Sequence, residues 1–416
     1  MLPKEGWRAQ GKNNFPDKPF SIEPMRWFFS VSLFLFTACG LPANDDDRID
    51  DDSECALSAT SWEVDPEGED GQIHPRSLRV GDTLWTAYNR PDGDTNFGVF
   101  VAVRSCDGTL LSGPKRLDDG LGNATDPDLV ASGDRVVVAW QTDDQGTPWN
   151  LSVRTALLDL DGDIVREDER LVMTEEGGEW QGNAWMARLA GHSEGYFLTM
   201  SRANETTVQF GVALQRFDRD GLPIGHALHF GSPEVPAFEP SIAVDGSGGV
   251  WISSLEDLAG GGPSSLLRVE AGADSAHSQD WPLLDVTTAG VVLAHNSRGL
   301  WGVSAQEAAS IQLGLLGGES WRADESSGGL HLAPGLSVAG DEGVVGWAQG
   351  APNTASIHLR AFEPEGWLTE VLEVSSGPAG AYPADVVMLD SEHAMVTWAE
   401  GLSPAFRLHS EILALR

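Results

Sequence analysis

The residues best placed for chemistry are polar side chains that recur at one step of a repeated phrase: His74, Asp126, Asn183, Glu239 and Tyr382. Each stands where a strand is expected to begin. The matching steps elsewhere carry Gly290 and Ala333, so a polar ring built from them is one-sided. Asp126 and Glu239 are of the type needed for general acid and base work on a glycan, provided that the carboxyl groups stand about 5–9.5 Å apart. Arg90 and Arg202, just past two strands, are the cationic candidates, and capping of strand starts is the plain alternative for the set. A second constellation lies on two loops, with Asp143, Asp144 and Trp149 on one and Glu179, Trp180 and Trp185 on the other. Flat aromatic faces beside carboxylates suit a sugar or a cationic group. Trp185 begins a strand, so packing in the interior is its alternative use.

The elements that must position these residues repeat from about residue 60 to the end. A short strand, often opened by a proline, is followed by a turn of Gly with Asp, Ser or Glu, then by an apolar strand. The apolar strands include Leu84-Trp85-Thr86-Ala87-Tyr88, Val136-Val137-Val138-Ala139-Trp140 and Ala394-Met395-Val396-Thr397-Trp398. There are seven, and their ends lie 52, 60, 54, 50, 43 and 51 residues apart. A period of roughly 50 residues with several short strands in each predicts β-propeller blades. In the second repeat, Leu151, Val153, Thr155 and Leu157 alternate with more polar neighbours, as a half-buried third strand does. Asp107-Gly108, Asp161-Gly162 and Asp220-Gly221 then close tight hairpins. The expected fold is all-β, a propeller of seven four-stranded antiparallel blades, with six or eight as alternatives. The final repeat lacks a strand, and Ser61-Trp62-Glu63-Val64 is expected to supply it and close the ring. In layout the chain resembles bacterial propeller lipoproteins. It lacks the Gly-His and Trp-Asp marks of WD-type blades and the Gly-Gly register of kelch blades.

Several shorter patterns are better explained by turns. Gly191-His192-Ser193-Glu194-Gly195 matches the nucleophile elbow of α/β-hydrolases, but that chemistry needs a strand–turn–helix, and this segment aligns with the strand–turn–strand at Ala131–Arg135. Thr142–Trp149 resembles one Asp-box of sialidase-type propellers, displaced from its usual turn, with Thr142 and Pro148 in place of the customary serine and threonine. That family's chemistry implies a tyrosine nucleophile, yet Tyr88 and Tyr196 read as core and only Tyr382 is left. Asp159–Asp163 hints at a calcium loop, but the Asp161-Gly162 hairpin accounts for its residues. His226 and His229 are three apart on a strand and point to opposite faces, so no metal and no cofactor is expected. The sequons at Asn123, Asn150 and Asn204 are read as chance matches.

The N-terminal region reads as an address. Arg26, the apolar run Trp27–Ala38 and the small residues before Cys39 have the layout of a secretory signal. The run is too short for a spanning helix, which takes about 20 apolar residues. Phe36-Thr37-Ala38-Cys39-Gly40 resembles the lipobox of bacterial lipoproteins, which implies lipid on Cys39 and a place in the cell envelope, at the outer membrane. Met25 is the natural start. The expected organisation is signal and upstream extension over 1–38, a tether over 39–55 held extended by two Asp triplets, and the propeller over 56–416. Cys55 and Cys106 are the two cysteines left for an oxidising compartment and are expected to pair.

Charge narrows the partners. Removing residues 1–38 takes away five of the 26 Lys+Arg and three of the 63 Asp+Glu, leaving 21 against 60, a formal −39. Such a chain repels phosphate backbones, which excludes nucleic acid. The expectation is a monomeric, lipid-anchored binding module for a glycan or an envelope protein. A glycan-active enzyme and a purely structural envelope protein are the alternatives.

Overall fold

The computed structural model describes residue 57 and residues 60–416, apart from 93–95, 121, 144–150, 171–173, 176–177, 180–182, 205–208, 232–236, 257–262, 285–289, 307–309, 326–330, 352–353, 376–380 and 403–404. Seven antiparallel sheets of four or five strands follow one another along the chain, with a small two-stranded sheet, Thr174–Glu175 and Gly178–Glu179, beside them. Their innermost strands are Ile73–Val80, Ala124–Ser132, Asn183–His192, Phe238–Val244, Val291–Asn296, His331–Ala339 and Ala381–Met388. Each packs beside the next, and the seventh returns to the first, so the seven sheets are the blades of a closed ring. The sixth blade's outer edge is split between Gly366–Trp367 and Leu372–Ser375.

The second strands carry the large side chains that hold blade to blade. Trp85, Trp140, Trp301 and Trp347 are wholly buried in the first, second, fifth and sixth blades, as are Tyr88 and Tyr196. The apolar clusters are shared between neighbours. Val138 and Trp140 of the second blade pack with Trp85 and Val101 of the first, and Trp301 of the fifth packs with Trp347 and Phe362 of the sixth. Alternation along a strand sends one set of side chains to each neighbour, so every blade is covered on both faces.

The ring closes as the sequence suggests. Thr60–Glu63 pairs antiparallel with Ala405–Ala414, the third strand of the last blade, with Thr60 opposite Ile412 and Glu63 opposite His409. Trp62 then covers Gly108 in the first blade's outer hairpin, where an added Cβ would lie 2.8 Å from the indole. Arg104 of the first blade donates to the carbonyls of Glu63 and Val64, both at 3.0 Å. Cys106 is disulfide-bonded. Cys55, its expected partner, lies outside the described residues, as do Cys39, the signal segment and the Asp triplets.

Candidate functional site

The site begins with a break in a ladder. In six blades the pairing between inner and second strand slips within its first three pairs, and two residues bulge out. The bulged pairs are His74-Pro75, Asp126-Pro127, Met186-Ala187, Glu239-Pro240, Ala333-Pro334 and Pro383-Ala384. Proline has no N–H to give a ladder, so a bulge is where a sheet interior accepts it. His74, Asp126, Met186 and Glu239 all hold φ between 51° and 53°, and Gly290, at the same step of the fifth blade, holds 68°. Left-handed backbone costs a residue with a side chain roughly 1–2 kcal/mol. The ring spends that cost repeatedly to turn these side chains toward the channel mouth.

Three of the bulges are held by the blade before them. The backbone N–H of Asp126 donates to Asn89 Oδ1 at 3.1 Å, that of Met186 to Gln141 Oε1 at 3.1 Å and that of Glu239 to Ser201 Oγ at 2.8 Å. Asn89, Gln141 and Ser201 occupy one position on successive second strands, opposite Ile73, Thr125 and Trp185. Sequence reasoning missed these supports, although a polar residue near the end of an apolar strand was a visible signal.

At this step His74 and Asp126 meet, and Glu239 lies near enough for the Asp126 charge to act on it. His74 Nδ1 lies 3.2 Å from Asp126 Oδ1 and 3.2 Å from Asn89 Oδ1. Gln141 Nε2 donates to Asp126 Oδ2 at 2.8 Å. Glu239 is 9 % exposed. Burial pushes its carboxyl up to about 8; the Arg188 charge opposes this and the Asp126 charge adds to it. Glu239 therefore carries its proton at neutral pH in most molecules.

Below the mouth lies a layer of buried charge that sequence reasoning also missed. Two residues past the bulge step in four of these blades stand Arg76, Asp128, Arg188 and Asp385, the first paired residues of their inner strands after the slip. Arg76 lies 3.6 Å from Asp128 Oδ1 through Nε and 3.8 Å from Asp385 Oδ1 through Nη1. The other oxygens of the two acids stitch blades together, Asp128 Oδ2 accepting Leu189 N–H at 2.7 Å and Asp385 Oδ2 accepting Ser77 N–H at 2.5 Å. Burial raises both carboxyls against the pull of Arg76, that of Asp385 to about 7. Charged residues two apart in otherwise apolar strands (His74 with Arg76, Asp126 with Asp128) were the signal.

Other candidates separate from this site. Asn183 is not at the equivalent step, which belongs to Met186 three residues on; its Oδ1 accepts Leu151 N–H at 2.8 Å. Tyr382 precedes its blade's bulge by one residue and aligns with Ile73, so Pro383 takes the step. Both were misaligned because the slip itself is set by pairing: the third blade has no proline at the bulge, and in the seventh Tyr382-Pro383 brings the proline one residue earlier than in His74-Pro75, Asp126-Pro127 and Glu239-Pro240. Asp143 is a cap, its Oδ1 accepting Asn123 N–H at 2.6 Å. Half-buried Trp185 packs edge-on against Phe210 at 6.4 Å, its alternative use. Arg90 is turned away to Asp65, at 2.7 Å, and stacks over Phe100 at 3.8 Å. Arg202 lies near enough to His229 for its charge to help lower that ring to about 4, after burial. Asp144, Trp149 and Trp180 lie outside the described residues, and of Glu179 only the backbone, in a two-residue strand, is described.

The turn motifs behave as turns. Ser193 sits between Asn183–His192 and Gly195–Asn204, two strands of one sheet. Asp159 Oδ1 accepts Asp163 N–H at 2.8 Å across the Asp161-Gly162 hairpin. Among the described residues no group of three His, Cys, Asp or Glu could hold a metal ion. An open cleft of about 620 Å³ lies between the turns of the third and fourth blades, lined by His192, Glu194, Arg216, His226 and Asp245. Arg216 pairs with Glu194 at 2.8 Å, and burial, helped by the Arg216 charge, lowers His192 to about 4.

No family model and no curated protein matches the chain. Among solved structures it is similar to a protein of unknown function from Dyadobacter fermentans DSM 18053, at 12% identity and a TM-score of 0.54, over 86% of this chain and 98% of that one. It is also similar to the Trypanosoma rangeli sialidase, at 9% identity and a TM-score of 0.51, over 86% of this chain and 60% of that one. A third likeness is to the Pyrococcus horikoshii acylaminoacyl peptidase, at 9% identity and a TM-score of 0.52, over 85% of this chain and 54% of that one. At such identities these likenesses show the propeller fold alone.

Proposed function

We propose that this protein is a lipid-anchored β-propeller of the bacterial cell envelope whose channel mouth binds a glycan. The observation that carries the reading is the repeated placement of His74, Asp126 and Glu239 on left-handed backbone at one step of three blades. Met186 shares that backbone without a polar group, so the bulge belongs to the fold and the polar side chains are an addition to it. Residues held in sparsely populated conformations cluster at ligand sites.

The chemistry favours hydroxyl groups. A sugar hydroxyl both donates and accepts. Asp126 offers acceptor oxygens, a protonated Glu239 offers a donor, and His74 offers a ring nitrogen. The anchoring part of the proposal rests on the sequence alone, on Arg26, Trp27–Ala38 and Cys39.

The test is a glycan screen on the soluble chain from residue 55, read by tryptophan fluorescence. A His74→Ala/Asp126→Ala double variant is expected to weaken binding at least tenfold, while Asp245→Asn, on the distant cleft, leaves it unchanged. Binding that ignores the double variant but vanishes in Trp149→Ala/Trp180→Ala would overturn the channel-mouth reading. An envelope-protein ligand would give no glycan binding at all. Labelling with radioactive palmitate tests the anchor, which Cys39→Ala should abolish.

A further inference from the structure

We infer that the open cleft between the third and fourth blades docks a partner polypeptide through one large apolar side chain flanked by Lys or Arg. The cleft lies at the ends of the inner strands opposite to the mouth, at His192 and Val244, so the inference stands apart from the glycan reading.

The cleft exists because of how each hairpin meets the blade before it. Gly108, Gly162 and Gly221 close the hairpins between third and fourth strands in the first three blades, each N–H donating to the carbonyl three residues back. A Cβ on Gly108 would lie 2.8 Å from Trp62, one on Gly162 3.0 Å from Ser112 and one on Gly221 2.8 Å from Arg166. Each hairpin therefore rests directly on the outer strand of the preceding blade, the first of them on Thr60–Glu63. In the fourth blade Ala273 N–H makes the same bond to the Glu270 carbonyl, at 2.9 Å, and a methyl takes the room that glycine leaves. Apart from its chain neighbours, nothing lies within 4 Å of a Cβ added to Gly272. That turn stands off the third blade, and an open space of about 620 Å³ separates the two.

The walls are apolar. Phe197, Leu214, Ile224 and Leu228 come from the third blade and Val250 and Val269 from the fourth. Apolar clefts of roughly 300–1,000 Å³ with a few polar groups at the edge are the common form of a binding site. Two other seams show what such a space accepts. Trp62 fills the one between the last blade and the first. Trp281, itself buried, fills the one between the fourth and the fifth, where its indole leaves no room for a side chain on Gly302. No described residue does the same between the third and fourth, and a side chain of that kind from a partner fits there.

Charge selects what flanks it. Glu194, Asp245, Glu270 and Asp274 stand around the cleft. Arg216 pairs with Glu194 at 2.8 Å, and Arg268 pairs with Asp245 at 3.0 Å and with Glu270 at 3.2 Å. Asp245 is further occupied by the N–H groups of Ser247 and Gly249, each at 2.9 Å. Four carboxylates thus face two guanidinium groups, and the exposed Asp274 has no partner among the described residues. The surplus negative charge complements Lys or Arg and disfavours an anionic lipid surface.

The free strand edge beside the cleft does not template a ladder. Pro223 has no N–H to offer, and pairing slips between Ile224 and Leu228, where Gly225 holds φ 70°. Recognition is left to side chains.

The experiment uses the soluble chain from residue 55 and fluorescein-labelled decapeptides with one Trp between two Lys pairs, read by fluorescence anisotropy. Matched peptides carry Ser for the Trp or Glu for each Lys. Vesicles of phosphatidylethanolamine and phosphatidylglycerol are a separate probe. The Trp–Lys peptide is expected to bind, and either replacement should weaken it about tenfold or more. Ile224→Ser should do the same with the thermal melt intact, because Ile224 is 41 % exposed. Glu270→Gln/Asp274→Asn should weaken binding about threefold or more at low salt and have little effect at about 0.5 M. Leu111→Ser removes an apolar side chain that is 56 % exposed on the first blade and should leave binding as it is. An equal loss in Leu111→Ser, binding that does not need the Trp, or binding to the vesicles alone would overturn the inference. Failure of every peptide to bind would overturn it too.

Discussion

His74 Nδ1 stands 3.2 Å from Asp126 Oδ1, across the seam between the first and second blades. The two residues are 52 positions apart in sequence, one repeat, and they meet because each sits on the same bulge of its own inner strand. The ring turns a repeat of sequence into a contact in space. The same logic joins Arg76 to Asp128 one layer below, 3.6 Å apart.

The buried layer makes Arg76 a stability residue. It lies between Asp128 and Asp385, whose side chains are almost wholly buried. Removing one partner of a buried ion group strands the other charges, at about 3–5 kcal/mol. Arg76→Met is expected to lose that much by denaturant melting. Adding Asp128→Asn and Asp385→Asn should recover a large part of it, since replacing every charge of such a group by neutral residues is often close to neutral. An unchanged midpoint for Arg76→Met would show that the layer carries no net weight.

Stability should fall as pH rises. Glu239 keeps its proton to about pH 8 in the folded chain and loses it in the ordinary carboxylate range when unfolded. Between those limits the folded state binds more protons, so unfolding becomes easier with increasing pH until about 8 and is flat beyond. Asp385, raised to about 7, acts in the same direction. Repulsion within a chain of formal charge −37 adds to both. Thermal melts from pH 5 to 9 should show the fall. Glu239→Gln should remove its upper part, and a variant with the wild-type slope would rule Glu239 out as its source.

Gly290 offers a cleaner look at the bulge. It holds φ 68° at the step where three other blades seat His74, Asp126 and Glu239, and the nearest atom to an added Cβ is Glu239 O at 3.7 Å. Space is available, so substitution costs only backbone strain. Gly290→Asn is expected to cost less than about 1 kcal/mol, because Asn visits left-handed backbone readily. Gly290→Val should cost more, its branched side chain being poorly suited to φ above zero. Equal costs for the two would mean that packing decides.

The closing strand should be indispensable. Thr60–Glu63 covers the edge of Ala405–Ala414, and Trp62 seals Gly108 in the first blade. Deleting residues 1–64 leaves that edge unpaired, and an open edge templates pairing between chains. Light scattering should detect association of the truncated chain, and its melt should fall by several degrees. A monomer of unaltered melting temperature would contradict this role for the strand.

The sequence by itself determined the architecture and part of the site. Turn dipeptides such as Asp107-Gly108 and apolar strands ending in Trp140 or Trp398 act locally, so their spacing reports blades before any fold is known. Polar-Pro dipeptides at His74, Asp126 and Glu239 did the same for three mouth positions, since proline marks where a ladder must break. What tertiary structure decided was registration and protonation. The slip that puts Met186 rather than Asn183 at the mouth depends on pairing with Ser201 and on the bond to Gln141, neither of which is local. The setting of His74 and the proton on Glu239 come from neighbours one or two blades away, and from burial that exists only once the ring has closed.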